Sequence, residues 1–156
     1  MYSCETCKTK RRCSKRMSVY RFPRVLVIHI KRFRYNNIYR EKLSTDVNFP
    51  LHGLDLTPYL SLDRPSGGCD HVHSGQPVYD LVSVSNHSGT MHGGHYVAHV
   101  NTASGRGDPS DDNSRWVCFN DSRVSTVQVS NISGPSAYVL FYQQRATSGD
   151  GATILG

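Results

Sequence analysis

Two segments, residues 86–100 and 115–122, constrain this chain more than any other. The first, NHSGTMHGGHYVAHV, is a glycine-rich loop that runs into a strand through Gly93-Gly94-His95-Tyr96. The second, RWVCFNDS, is a strand ending at Asn120-Asp121. Paired antiparallel around the polar excursion 101–114, they set His95 opposite Asn120. Directly opposed residues share a face, with Cβ atoms about 4.5–5.5 Å apart. Tyr96 then alternates to the other face. A histidine beside an amide is two thirds of a Cys-His-Asn catalytic set. There the base forms a thiolate–imidazolium pair, and the amide fixes the tautomer and orientation of the ring. Glycines before the histidine let a substrate backbone approach. On spacing alone, the same residues also describe an ordinary strand histidine beside an Asn-Asp-Ser turn.

The rest of the chain reads as antiparallel β. Residues 25–30 (VLVIHI) are apolar on both faces and predict a central strand. Residues 17–22 alternate like a strand, which Pro23 ends. Strands are also expected at 79–85, 95–100, 115–120 and 136–142. Asn36-Asn37 marks a turn. Short apolar pieces at 47–56 are broken by Pro50 and Gly53, while 61–77 and 101–114 read as loops. The tail beyond Gln143 has little apolar content and reads as disordered. With 156 residues, one domain with a real core is expected. No apolar run reaches the roughly 18 residues of a membrane span, and the N-terminus lacks an apolar signal core. Five cysteines, an odd number, fit a reducing compartment, cytoplasmic or nuclear, better than a disulfide framework.

Charge is uneven. Residues 1–50 carry 13 Lys/Arg against 3 Asp/Glu, a net of +10, and residues 51–156 carry 5 against 9, a net of −4. The basic half suits nucleic acid, or an acidic or polar protein surface, or is simply a solvated face. It contains Cys4-x-x-Cys7, half of a tetrahedral zinc site. Three readings stay open for these thiols. They are ligands whose partner pair lies outside this chain, free thiols in a turn, or part of a site closed by Cys13, Cys69, His71 or His73.

The motifs, in order, resemble the C-terminal half of the catalytic domain of ubiquitin-specific proteases, the papain-like deubiquitinases. YSCETC is similar to the family's second zinc CxxC. Pro23, Leu26, Ile30, Lys31, Arg32 and Phe33 match its P-x-x-L-x-x-x-L-K-R-F strand, with Ile for the last Leu. Val47-Asn48-Phe49-Pro50 and Leu54-Asp55-Leu56 resemble the next segment. YDLVSVSNHSGTMHGGHYVAHV resembles the histidine box, RWVCFNDSRV the W-x-x-F-N/D-D box, and SAYVLFYQQR the closing strand.

The resemblance implies an α+β, predominantly antiparallel β fold, a partial palm with zinc fingers. Residues 1–143 would be the C-terminal portion of such a domain, with 1–16 a half zinc knuckle, 17–143 the palm and fingers sheet, and 144–156 a disordered tail. His95 would be the general base and Asn120 its orienting amide, with Asp121 a second polar support. His87, Gly93, Gly94 and Tyr96 would line the path of ubiquitin's C-terminal tail, gated by residues 88–92. Cys4 and Cys7 would hold structural Zn2+ as a half site. Ubiquitin and ubiquitinated proteins are the implied partners, with no membrane and no nucleic acid. The family's nucleophilic cysteine box, its first CxxC and its oxyanion-stabilising Asn or Gln lie upstream of the matched motifs. Cys118 sits within a strand, with no helix dipole to lower its pKa, and Cys69 lies in a loop without counterpart. The chain is therefore expected to be a fragment, inactive alone.

Overall fold

The computed structural model describes residues 2–35, 40–61, 77–103, 116–132 and 134–145. In chain order the strands are β1 (Tyr2–Ser3), β2 (Lys10–Arg11), β3 (Val25–His29), β4 (Phe33–Tyr35), β5 (Arg40–Lys42), β6 (Leu54–Asp55), β7 (Val78–Gly89), β8 (Gly94–Asn101), β9 (Trp116–Asn120), β10 (Arg123–Thr126) and β11 (Ala137–Gln144). Antiparallel β predominates, as expected. The only helical pieces among the described residues are 3-10 turns at Thr57–Tyr59 and Val129–Asn131.

Seven strands form one antiparallel sheet in the order β10-β9-β8-β7-β11-β3, with β6 also paired to β7. β1–β2 and β4–β5 are separate two-stranded ribbons. Alternation on β7 drives one face inward: Tyr79, Leu81 and Val84 are buried with Trp116, Ile132, Ala137, Leu140 and Tyr142. The step of three from Leu81 to Val84 breaks the period of two. It is explained by a register shift, in which Phe141 pairs Ser83 while Tyr142 pairs Leu81, leaving Val82 as the extra residue of a bulge. Each fully buried aliphatic or aromatic side chain contributes about 1.5–3 kcal/mol over exposure. The two core tyrosines keep their hydroxyls satisfied, Tyr79 donating to Pro23 O and Tyr142 to Pro50 O, both at 2.7 Å. Burial pushes the Tyr142 phenol up to about 12.

Arg32 is buried at 1% exposure and fastens the palm to its neighbours. Its guanidinium donates to Ala137 O at 2.5 Å, Thr45 O at 2.7 Å and Leu43 O at 3.1 Å, with a longer contact to Gly134 O at 3.4 Å. One side chain thus joins the β3–β4 junction, the segment after β5 and the entry to β11.

Four expectations change. The 25–30 run forms an edge strand among the described residues, pairing only with β11, and Val25 and Val27 are exposed. Residues 17–22 form no strand beyond a single parallel bridge of Val19 with Leu60. β7 extends past residue 85 to Gly89, because His87 and Asn86 are buried and continue the ladder. At the C-terminus, β11 runs to Gln144 and Arg145 pairs with Asp80 at 2.7 Å, so the sheet absorbs the start of the expected tail. The remaining tail, 146–156, and the loops at 62–76 and 104–115 lie outside the described residues.

Candidate functional site

The β7–β8 hairpin carries most of the candidate residues. Gly89 pairs with Gly94, Ser88 with His95, and His87 with Tyr96. The turn is closed by Thr90 N–H donating to Gly93 O at 2.8 Å. Two glycines are dictated by geometry. Gly89 has φ +126, and a Cβ there would sit 2.5 Å from Gly93 O. A Cβ on Gly94 would collide with His87 Nε2 and lie 2.6 Å from Ser88 O. Gly93 has open space around it.

His95 and Asn120 do meet: His95 Nε2 lies 2.6 Å from Asn120 Oδ1. They are not directly opposed, however. β8 and β9 pair Ala98 with Phe119 and Asn101 with Trp116, which places Asn120 diagonally from His95, two positions along. A slip of two preserves the face, and a diagonal neighbour remains within reach of long side chains. An amide oxygen only accepts, so Nε2 carries the hydrogen and Nδ1 is left as the basic nitrogen. Asp121 follows in the two-residue turn to β10, at φ 50 in the left-handed region that Asp tolerates. Its carboxylate lies 3.9 Å from the same Nε2 and is exposed.

Tyr96 takes the opposite face, as alternation predicts. There it stacks obliquely on His87, centroids 4.6 Å apart, and Phe33 meets His87 edge-on at 5.4 Å. His87 is buried, and its Nδ1 has no hydrogen-bond partner among the described residues. Burial, and then the Lys42 ammonium, hold its pKa below the ordinary histidine value. A cleft of about 280 Å³ opens here, lined by Phe33, Tyr35, His87, Gly93, Gly94 and Tyr96 together with the 90–92 turn. The expected tail-path residues therefore converge, one strand face away from His95.

Lys42 escaped the sequence reading. Its ammonium donates to His87 O at 2.9 Å and Gly89 O at 3.1 Å, tying the β4–β5 ribbon to the end of β7. No local pattern announces a contact across 45 residues. Phe33 was legible only as part of the K-R-F motif.

The cysteine pair sits apart. Cys4 N–H donates to Thr9 O at 3.1 Å, closing the β1–β2 turn. Cys4 is half-buried and Cys7 exposed, and a hydrogen bond between their side chains is the main cause of a lowered Cys4 pKa. Among the described residues no group of three or more His, Cys, Asp or Glu side chains could enclose a metal. Among the described residues, Cys4 and Cys7 could offer two thiolates to a tetrahedral site. Cys13 is exposed, and Cys69, His71 and His73 lie outside the described residues. Cys118 lies opposite His99 on β9, half-buried.

Comparison with known proteins agrees with this architecture. The family model "Ubiquitin carboxyl-terminal hydrolase" matches residues 1–142. Ubiquitin carboxyl-terminal hydrolase 2 of Gallus gallus is 42% identical over 146 residues, covering 94% of this chain and 36% of that protein. Ubiquitin carboxyl-terminal hydrolase 5 of Arabidopsis thaliana is 39% identical over 150 residues, covering 96% of this chain and 14% of that protein. Among solved structures, a chain of the Ubp8-containing SAGA DUB module bound to monoubiquitin superposes with a TM-score of 0.69 at 28% identity, covering 93% of this chain and 28% of that one. The same module bound to ubiquitin aldehyde gives 0.69 at 28% identity, covering 93% and 30%. The chain thus spans about a third or less of these relatives, and over nearly all of its own length it belongs to the ubiquitin carboxyl-terminal hydrolase family.

Proposed function

We propose that this chain supplies the general-base side of a thiol-dependent deubiquitinase acting at the C-terminal glycine of ubiquitin. The observation that carries this reading is the 2.6 Å contact of His95 Nε2 with Asn120 Oδ1. It leaves Nδ1 free to take a thiol proton. A cysteine from outside this chain attacks the glycine carbonyl and forms a thioester. His95 protonates the departing lysine amine, then deprotonates the water that hydrolyses the thioester. Asn120 keeps the ring in the required tautomer, and Asp121 adds negative potential beside it. The cleft at His87, Gly94 and Tyr96 takes the extended tail. These roles imply ubiquitin and ubiquitinated proteins as partners, and a reducing cytosol or nucleus as the setting.

Cys4 and Cys7 would hold two positions of a structural Zn2+, the other pair coming from outside the chain. Tight zinc at one ion per purified chain would overturn that half-site assignment.

The functional test is labelling with ubiquitin-propargylamide, of this chain and of a longer product that contains it. Only the longer product should be labelled, at a cysteine outside this segment. Within it, His95→Ala should lower kcat/KM by roughly 10²–10⁴-fold and Asn120→Ala by a smaller factor. Labelling of this chain alone, at any of its five cysteines, would remove the assignment.

A second reading, a non-catalytic ubiquitin-binding module, is favoured by the cleft being formed within this chain. Ubiquitin titration followed by NMR separates the two. Shifts confined to the cleft, together with an unlabelled longer product, would favour the module.

A further inference from the structure

Lys42 takes no part in the chemistry assigned to His95 and Asn120, yet it binds the strand next to His95's own. It stands on β5, directly opposite Phe33 of β4. Opposed residues share a face. From that face Phe33 meets the His87 ring at 5.4 Å, while the Lys42 ammonium reaches His87 O at 2.9 Å and Gly89 O at 3.1 Å. Among the described residues no carboxylate pairs with this ammonium.

Sheet topology explains why these two carbonyls need a donor. β11 enters the ladder at Ala137, opposite Asn86, and just before it Ser136 O accepts His87 N–H at 2.8 Å. Alternate residues of a strand present their backbone groups to the same edge. The carbonyls of His87 and Gly89 therefore face the side on which β11 has run out, and Lys42 stands where a longer β11 would. The ribbon that carries Lys42 is itself fixed. Leu43 N–H donates to Arg32 O at 2.7 Å, and the buried Arg32 guanidinium returns to Leu43 O at 3.1 Å and Thr45 O at 2.7 Å.

Between the two bound carbonyls lies Ser88, whose partner across β7–β8 is His95, and Gly89 itself pairs with Gly94. Of residues 88–96 only Met91 is half-buried within this chain, so packing does little to hold the hairpin end. The 2.6 Å contact of His95 Nε2 with Asn120 Oδ1 tolerates little sway. We propose that Lys42 is a positioning residue for the general base: by bridging the His87 and Gly89 carbonyls it fixes the end of the β7–β8 hairpin, so that His95 stays against Asn120. This role rests on the deubiquitinase reading of the site. Its action on His95 runs through the backbone of β7 and β8.

The test is steady-state hydrolysis of a ubiquitin–fluorophore substrate by the longer product that contains this chain, unsubstituted and as Lys42→Met and Lys42→Arg. Methionine keeps an unbranched stem and removes the donors, whereas arginine restores a cation that can donate to both carbonyls. Lys42→Met should lower kcat by about 10- to 100-fold, with KM changed by less than about threefold. Lys42→Arg should recover kcat to within about fivefold of the unsubstituted product. In the 156-residue chain, Lys42→Met should also speed hydrogen exchange of the Thr90 amide, which closes the hairpin turn on Gly93 O. Emission of the single, buried Trp116 reports that the sheet is intact in each variant. The role is overturned if Lys42→Met leaves kcat within about twofold, if the loss falls on KM alone, if arginine restores nothing, or if Thr90 exchange is unchanged. Any of these with an active unsubstituted product removes the role of Lys42 and leaves the deubiquitinase reading standing. Absence of turnover by the unsubstituted product would instead remove that reading, and this role with it.

Discussion

The seven-stranded sheet and the β1–β2 knuckle follow opposite rules. Among the described residues the sheet and its flanking turn bury eight apolar side chains, satisfy the hydroxyls of Tyr79 and Tyr142 and are clamped at the periphery by one arginine. The knuckle has two strands of two residues each, and all four strand residues are exposed. A two-stranded ribbon with no apolar face is marginal in water. The two regions therefore differ in how much of their own surface they bury. The 2.6 Å contact of His95 with Asn120 lies on the first kind of structure, and the Cys4/Cys7 pair on the second.

The comparison breaks most readily at Arg32. Arg32→Met removes donors from four backbone carbonyls inside a packed region. A loss of about 3 kcal/mol or more is expected, a drop of roughly 10 °C in Tm, measured by denaturant and thermal unfolding. Retention of Tm within a degree or two would mean that the sheet does not rely on this clamp.

Gly94→Ala comes next. The added methyl meets the buried His87 at Nε2 and the Ser88 O, so His87 or the strand must move. About 2 kcal/mol of destabilisation is expected, with a larger proportional loss of ubiquitin-tail binding than of stability. Gly93→Ala, with open space at its Cβ, is the control and should cost little. Equal losses for the two variants would show that the close approach of His87 to Gly94 is not what selects glycine.

How legible these two regions were in the sequence differs for the same physical reason. Period-two alternation and β-branched runs mark β3, β7, β8, β9 and β11, because a strand with a buried face must alternate. The partners of an edge are not encoded so locally. The apolar 25–30 run predicts burial on both faces, yet Val25 and Val27 stand exposed at the sheet's edge. His95 and Asn120 were legible as a pair, but their register was not, since the long 102–115 excursion sets no hairpin geometry. The pairing survives because the actual slip is even and returns both side chains to one face. Lys42 and the Arg32 clamp were hidden, since single long side chains reaching distant carbonyls leave no periodic trace.

Acid should act on the sheet more gently. Burial lowers the pKa of both His87 and His99, with Lys42 adding to the effect at His87. A depressed folded-state pKa means that the unfolded chain binds protons first. Stability is complete above the unfolded histidine value of about 6.5 and falls as pH drops through it toward the folded values. The slope is at most about 1.4 kcal/mol per pH unit for each histidine. Urea unfolding at a series of pH values, for the native chain and His99→Gln, measures it. An unchanged slope in His99→Gln would exclude His99 as a contributor.

The smallest effect expected sharpens the contrast. Cys4→Ser/Cys7→Ser alters the exposed ribbon, and neither cysteine is a member of the buried core. The unfolding midpoint of the sheet, followed by Trp116 emission, should shift by less than about 0.5 kcal/mol. Backbone NMR signals of residues 2–13 should nevertheless move or broaden. If the thiols hold zinc with a partner pair from elsewhere, a chelator should reproduce that local change in the longer product while the Trp116 midpoint stays fixed. A global shift of more than about 1 kcal/mol would mean that the knuckle and the palm fold as one unit. The division between a packed sheet and an exposed ribbon would then fail at its foundation.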